Sequence, residues 1–351
     1  MREDWVDIAK AISIICIVLW HMQFNLFLPF LNFKLLLAGI WPVPVFFMIG
    51  GFFLNDNKLS DTKSFIIKKI KTIYLPTIII YLLASLFHNI FINIGFYNLS
   101  IDYDIHLDLY DLKDFIIHIG LAFFMADSEL IVAPMWFVCV LFVALCSMSI
   151  ICYILKKYIT NERTYNIIQL TCFLMPVVLY FIIINIMPFH IPRYNWLLPA
   201  IWLIYIGMKI KNSYNIEFNN NLLFTFSIGV VYLFSITIDN ISNNILFLTI
   251  CTFSACYVVC FISKKITQNN YLSIILTFIG KNSFYIMAFH LIAFKMCTLL
   301  LQSIGIHRNL GLLIAPTENN VFLICYYVIG GVCIPLAMIY LFRLIKNIIC
   351  Y

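Results

Sequence analysis

Long apolar runs set the strongest limit on what this chain can fold into. Ten runs of about 20 residues follow one another, separated by short polar segments. A helix of that length spans the ~30 Å hydrocarbon core of a bilayer and satisfies its own backbone hydrogen bonds there. Because 63% of the residues are hydrophobic and only 11% are charged, too little polar surface remains for a water-soluble globule. We therefore predict an all-α, polytopic integral membrane protein with a single domain over residues 1–351.

The predicted spans are residues 8–28, 35–54, 73–95, 134–155, 165–187, 195–210, 221–238, 245–263, 283–302 and 321–345. Lysine and arginine are enriched in cytoplasmic loops. With the N-terminus in the cytoplasm, 17 of the 22 basic residues fall in cytoplasmic segments and four outside, while Lys295 lies within a span. This asymmetry predicts ten spans with both termini cytoplasmic, in the inner (plasma) membrane. The segment 115–125 is too short to cross and is expected to lie at the interface.

The net charge of +6 does not indicate a nucleic-acid partner, because the cations lie in short clusters between the apolar runs. Membrane lipids are the expected surroundings. The 12 cysteines are scattered through those runs without a CxxC pair, so we expect no disulfide framework and no metal site. The first run continues beyond residue 20 without a small-residue cleavage pattern, and we expect it to be retained as a span.

Three ionisable residues mark the first span: Asp7, Lys10 and His21. They share one stripe of the helix, with His21 ~16 Å further along the axis than Lys10. An ionisable group at bilayer depth is costly and indicates function, although a histidine hydrogen-bonded within the bundle remains an alternative. Asp7 is ~21 Å from His21 along the axis, so it is expected to pair with Lys10 or with a loop lysine.

Four further motifs follow in order along the chain. Together with the first, their residues are Asp7, Lys10 and His21; Pro44, Phe46, Phe47, Gly50 and Gly51; Lys68, Lys69, Lys71 and Pro76; Trp136 and Phe137; and Gly280, Asn282, Ser283, Tyr285 and His290. This order resembles the acyltransferase 3 family of integral membrane O-acyltransferases, which acetylate bacterial polysaccharides and related glycans. The resemblance runs from residue 4 to about residue 295, and its spacing most resembles the branch that includes fucose 4-O-acetylase-like proteins. Gly50 and Gly51 are expected to permit close helix approach.

The resemblance implies an O-acetyltransferase that moves an acetyl group from acetyl-CoA to a hydroxyl of a cell-surface or lipid-linked glycan. Acetyl-CoA is then a donor substrate, and no cofactor is bound permanently. Another short acyl group, such as succinyl, remains open. A different class also remains open, a secondary transporter or flippase for a lipid-linked sugar, because it too needs buried polar groups. Transporters are expected to show inverted repeats with broken helices, and inspection of the sequence finds no such pairing.

The residue types indicate which side chains would catalyse acyl transfer. Transfer to a hydroxyl needs a base, and histidine titrates near working pH. His21 is the predicted base. His290 is predicted to pair with His21, to stabilise the tetrahedral intermediate as a donor, or only to make a packing hydrogen bond.

The donor's phosphates need a basic cytoplasmic mouth. Lys10, Lys68, Lys69 and Lys71 can supply it, with Asp7 as support, unless the last three lysines only fix the topology. Many family members have arginine at the positions of Lys10 and Lys71, so binding there would be by point charge rather than bidentate. Some also pair a last-span arginine with a glutamate, whereas Arg343 has no acid beside it.

Two features near the outer face have competing interpretations. Trp136 begins its span, where tryptophan serves either as an interfacial anchor or as a stacking surface for the glycan. Segment 96–133 holds seven of the 16 acidic residues. It is interpreted as a solvated cap or as a wall of a polar substrate groove.

Overall fold

The computed structural model describes residues 3–24, 27–28, 31–32, 36–37, 39–97, 108–126, 129–186, 196–214, 217–236, 244–308, 310, 315–318 and 320–349. The described chain is predominantly helical. Its first half contains the helices α1 (Asp4–Trp20), α2 (Pro42–Gly51), α3 (Asp56–Ser60), α4 (Thr62–Lys69), α5 (Leu75–Leu86), α6 (His88–Asn93), α7 (Leu112–Phe123) and α8 (Trp136–Tyr158). Its second half contains α9 (Glu162–Ile186), α10 (Leu197–Lys209), α11 (Asn221–Ile236), α12 (Ile245–Ile266), α13 (Asn270–Lys281), α14 (Ser283–Ser303) and α15 (Val321–Ile349).

Shorter elements connect these helices. π-helical turns cover Ile70–Tyr74 and Ile210–Tyr214, and a 3₁₀ turn covers Leu130–Met135. The strands in the described part of the chain are β1 (Met22–Phe24), β2 (Phe27–Leu28), β3 (Leu31–Asn32) and β4 (Ala315–Glu318). β1 pairs with β4 in parallel, and β2 pairs with β3 antiparallel.

Every predicted span contains a helix, and four helical segments in the described part of the chain are long and apolar enough to cross a membrane. These are Leu130–Tyr158, Ile245–Ile266, Ser283–Ser303 and Val321–Leu344. A predominantly helical membrane protein is thereby confirmed, with β1–β4 as short strands outside the predicted all-α pattern. Residues 115–123 of the segment expected to be interfacial belong to the 12-residue helix α7.

The first predicted span is wrong at its outer end. The helix ends at Trp20 rather than at residue 28, and the chain continues as the extended strand β1. Asn25 and Pro29 follow within the predicted span. Asparagine competes with helical hydrogen bonds and proline removes one, so hydropathy alone overstated the helix.

The second and third spans are also less regular than predicted. α2 has 10 residues and begins at Pro42, where a missing N–H costs nothing. The third is divided at Phe87 into α5 and α6, after a π-helical turn. Both irregular regions border the site described below.

Helix starts are fixed by side-chain caps that the sequence supplies. Asn244 accepts hydrogen bonds from the backbone at the start of α12, and Asn269 does so at the start of α13. Asp111 and Asp114 form a reciprocal capping box on α7. Each cap satisfies amides that have no partner within the helix.

α1 is the central helix of the bundle, packing against α2, α12, α13, α14 and α15. Its most extensive contact is with α13, where Gly280 lies so close that an added Cβ would fall 1.8 Å from the Asp7 carbonyl oxygen. α2 and α10 cross equally closely: a Cβ on Gly51 would fall 2.1 Å from the Ile204 oxygen, and one on Gly207 would fall 1.9 Å from the Met48 oxygen. Close approach is therefore confirmed for Gly51. Gly50 instead opens onto a cavity, with only Leu141 Cδ1 in contact range at 3.8 Å.

We expect Gly280→Ala to destabilise the bundle by about 3 kcal/mol, because the methyl group must push α13 away from the backbone of α1. Gly229→Ala on α11 is the matched control, since nothing lies within 4 Å of its added Cβ. The control should be neutral or stabilising by up to ~1 kcal/mol. Thermal unfolding of the detergent-solubilised protein measures both variants, and equal melting temperatures would contradict the close packing.

One end of the bundle gathers basic residues from segments far apart in sequence. Lys211 Nζ lies 2.8 Å from Glu3 Oε1, and this hydrogen bond lowers the pKa of the Glu3 carboxyl. Lys156 Nζ donates to Asn57 Oδ1 at 2.9 Å. Lys264 lies over the Trp5 ring at 5.5 Å.

A buried contact between an imidazole and a carboxyl group, which sequence reasoning missed, lies near the other end of α8. His88 Nδ1 lies 3.0 Å from Glu129 Oε1, and Tyr97 donates its hydroxyl to Glu129 Oε2 at 3.2 Å. The Tyr110 ring stacks on His88 at 3.5 Å. Glu129 is only 3% exposed, so the interpretation of segment 96–133 as a solvated cap is wrong for this residue, because its imidazole partner compensates for burial. Asp102, Asp104 and Asp127 lie outside the described residues.

Candidate active site

The two histidines predicted to carry chemistry are neighbours in space. His21 caps the end of α1 and His290 lies on α14, and their ring centroids are 5.0 Å apart. His290 is fully buried, whereas His21 is partly exposed. The pairing of β1 with β4 begins one residue after His21, at Met22 opposite Ala315. The structure thus brings together two residues separated by 269 positions.

Hydrogen bonding fixes the tautomer of His290. Its Nδ1 lies 2.9 Å from the Ile286 carbonyl oxygen and 3.0 Å from that of Met287. Carbonyl oxygens only accept, so Nδ1 carries the proton and a neutral ring presents a lone pair at Nε2. Nε2 is buried and finds no hydrogen-bond partner within the described part of the chain. An unsatisfied buried nitrogen is costly, and its lone pair is a potential acceptor for a proton.

Asp7 and Lys10 form a pair at the opposite end of α1. Lys10 Nζ lies 3.5 Å from Asp7 Oδ1, and the Asp7 side chain is fully buried. Lys10 also lies 4.2 Å from the centroid of the Phe53 ring. The geometry follows the expectation that Asp7 pairs with Lys10 rather than with His21, since the two residues are one helical turn apart.

A cavity of about 640 Å³ opens beside Lys10 between α1, α2, α4 and α8. Its charged lining consists of Lys10, Lys58, Asp61, Lys68 and Lys69, and its aromatic lining of Phe46, Phe53, Phe65, Phe137 and Phe284. Gly50 forms part of the wall, so the absent side chain leaves room for a ligand. A cavity with this volume and with both cationic and aromatic walls suits an anion that carries a planar group.

The lysines predicted from sequence are divided by the structure. Lys68 and Lys69 line the cavity, whereas Lys71 and Lys63 line an adjoining shallow groove. The groove and the cavity share Asp61, Ser64, Lys68 and Thr72. Lys58 was missed, although its position in the basic loop was a signal. Burial lowers the pKa of the Lys69 ammonium, and the neighbouring Lys68 charge lowers it further. A bound anion would favour the charged form of Lys69.

We expect anion binding in this cavity to weaken at alkaline pH, because rising pH removes the charge of Lys69 once it passes the lowered pKa. Lys69→Arg stays protonated and should hold its affinity to a higher pH. The affinity for the donor, measured at a series of alkaline pH values, checks this prediction. Lys71→Arg, at a residue outside the cavity, is the control. Identical pH profiles for the wild type and Lys69→Arg would contradict it.

Two helices connect the cavity to the histidine pair. α1 runs from Lys10 to His21, ~16 Å along its axis, and α14 runs from Phe284 to His290, ~9 Å along its axis. Lys10 and Phe284 line the cavity, but neither histidine does. The charged cavity and the histidine pair therefore lie at different depths of the bundle.

Other residues singled out by the sequence serve as ties between segments. Trp136 packs against Trp196 with ring centroids 5.9 Å apart. Lys295, on the same helix as His290, donates to the Leu310 carbonyl oxygen at 2.7 Å. Arg343, which has no neighbouring acid in sequence, donates to Asn282 Oδ1 at 3.1 Å. Asn282 is the N-cap position of α14.

The helical membrane bundle thus holds an imidazole pair and a lysine-lined cavity. A family model described as an acyltransferase domain matches residues 3–340. The chain therefore belongs to the acyltransferase 3 family and is a membrane acyltransferase. Membership favours acyl transfer over the transporter or flippase alternative. No curated protein and no solved structure matches the chain.

Proposed function

We propose that the protein is an O-acetyltransferase that moves the acetyl group of cytoplasmic acetyl-CoA to a hydroxyl of a cell-surface or lipid-linked glycan. The observation that carries the proposal is the His21–His290 pair, with a buried lone pair at His290 Nε2. Family membership supports acyl transfer, and the resemblance to fucose 4-O-acetylase-like proteins motivates the glycan acceptor.

The donor occupies the lysine-lined cavity in this proposal. Its phosphates contact Lys58, Lys68 and Lys69, and the aromatic wall accommodates its adenine ring. Lys10, held by Asp7, lies where the extended arm leaves the cavity. The arm follows α1 and α14, which brings the thioester to the histidines. The two halves of the site thus serve binding and chemistry separately.

The chemistry requires one proton to move twice. One imidazole of the His21–His290 pair takes the proton of the acceptor hydroxyl while its oxygen attacks the thioester carbonyl. The tetrahedral intermediate collapses as the C–S bond breaks, and the imidazolium returns the proton to the departing thiolate. Because neutral His290 presents only a lone pair at Nε2, the hydrogen bond to the developing oxyanion would come from His21 when His290 is the base. Trp136 would contribute a stacking surface for the acceptor sugar.

We further propose ten spans with both termini cytoplasmic, in the plasma membrane. Contacts between segments support this topology. Glu3, Asn57, Lys156 and Lys211, all in segments predicted to be cytoplasmic, meet at one end of the bundle. At the outer end of α1, β1 pairs with β4, which lies in a segment predicted to be external. The excess of lysine at the first end matches the positive-inside rule.

Two measurements test the proposed function. Mass spectrometry of surface glycans from cells with and without the gene should show the loss of one acetyl group from a defined sugar. Purified protein should release CoA from acetyl-CoA only when acceptor is present. A mass difference of one succinyl group would identify succinyl-CoA as the donor instead of acetyl-CoA. Unchanged glycans together with no CoA release would refute the proposal.

A further inference from the structure

A second groove, of about 1150 Å³, lies between α9, α10 and α12, apart from the lysine-lined cavity. Its polar residues are Glu162, Arg163, Asn166 and Lys209. Its apolar lining includes Ile167, Leu170, Trp202, Ile206 and Phe253. None of these residues has a role in the proposed acyl transfer.

The lining is ordered along the helices, with polar groups at one end and apolar groups at the other. Lys209 Nζ lies 3.5 Å from Asn166 Oδ1, so the end of α10 adjoins the start of α9. Seven residues, ~10 Å along the axis, separate Arg163 from Leu170 on α9, and the same distance separates Lys209 from Trp202 on α10. Leu170 and Phe253 are exposed there. Such a groove fits a molecule with a polar head and a hydrocarbon chain.

The charges at the polar end define the head. Two cations, Arg163 and Lys209, and one carboxylate, Glu162, leave a net charge of +1, which complements one phosphodiester. Lys209 is held over the Tyr205 ring at 5.6 Å. Arg163 is exposed, and within the described part of the chain its guanidinium makes no hydrogen bond or ion pair. Its planar donors therefore remain available for phosphate oxygens.

We propose that this groove binds one anionic glycerophospholipid. Its phosphate contacts Arg163 and Lys209, and an acyl chain covers Leu170, Ile206 and Phe253. Basic pockets between helices on the cytoplasmic side of membrane proteins bind anionic head groups in this way. The site is independent of acyl transfer, and its failure would leave the proposed function intact.

Trp202 provides a direct test, because it lines the groove and is held by a hydrogen bond from Nε1 to Thr249 Oγ1 at 3.1 Å. The full-length protein is reconstituted in phosphatidylcholine with a small fraction of lipid that carries brominated acyl chains, which quench tryptophan fluorescence. Brominated phosphatidylglycerol should quench at an at least ~10-fold lower fraction than brominated phosphatidylcholine, a ~1.4 kcal/mol preference. Trp202→Phe should remove the preferential quenching.

Charge variants complete the test. Arg163→Gln with Lys209→Gln should abolish the preference for phosphatidylglycerol. Lys157→Gln with Lys265→Gln makes the same charge change at exposed positions outside the groove and should keep the preference. Equal quenching by both lipids in the wild type would overturn the proposal. Equal loss of the phosphatidylglycerol preference in both double variants would also overturn it. So would stabilisation of the detergent-solubilised protein by inorganic phosphate that matches stabilisation by phosphatidylglycerol, because the site would then bind phosphate without a chain.

Discussion

Replacement of either histidine should reduce acyl transfer by about 10²–10⁴-fold, the usual contribution of a general acid–base group. His21→Ala removes the partly exposed ring, and His290→Ala removes the buried ring 5.0 Å away. Because a pair that acts as a unit is non-additive, the double variant should be about as inactive as the worse single variant. Turnover of purified protein, measured as CoA release in the presence of acceptor, provides the comparison.

His290→Asn separates chemistry from packing. The asparagine amide can replace the Nδ1–H donor to the Ile286 and Met287 carbonyl oxygens, but it has no counterpart of Nε2. Activity should therefore stay lost while the melting temperature is preserved. Full activity in His290→Asn would assign His290 to packing alone. His307→Ala, at an exposed residue, is the control that should change neither quantity.

Hydropathy predicted where helices lie, because burial in lipid demands about 20 apolar residues whatever the partners. It could not predict where helices break. The end of α1 at Trp20 is followed at once by the pairing of β1 with β4, almost 300 residues away in sequence. The close crossing of α2 and α10 at Gly51 and Gly207 is likewise a tertiary contact. These contacts join segments that are distant in sequence. The hydrophobic periodicity of a single helix carries no information about them.

The site was predictable to the extent that its residues are expensive to bury. His21 and His290 stood out because an imidazole within an apolar run is costly to bury and therefore indicates a function. Lys71 and Lys58 show the limit of this prediction. The two lysines look equivalent in the sequence of the basic segment, but Lys58 lines the cavity and Lys71 does not. The His88–Glu129 pair was missed because its partners are 41 positions apart. Neither residue is unusual until the two meet.

Neutralising the lysines that line the cavity should weaken binding of the donor more than any other charge change on this face of the protein. With ~1 kcal/mol for each lysine–phosphate contact, the triple variant Lys58→Gln, Lys68→Gln, Lys69→Gln should raise KM for acetyl-CoA on the order of 100-fold. Lys71→Gln with Lys63→Gln lies in the neighbouring shallow groove and should change KM less than about threefold. Initial rates over a donor concentration series measure both.

A change of charge in a cytoplasmic loop can also disturb topology, so a second variant tests the same cavity without altering charge. Gly50→Leu places a side chain into the cavity, where its Cβ has space but a longer chain occupies the ligand volume. KM should rise as it does in the triple variant, while cysteine accessibility from either side of the membrane stays unchanged. An unchanged KM in Gly50→Leu, with altered accessibility in the lysine variant, would mean that these lysines orient the chain rather than bind the donor.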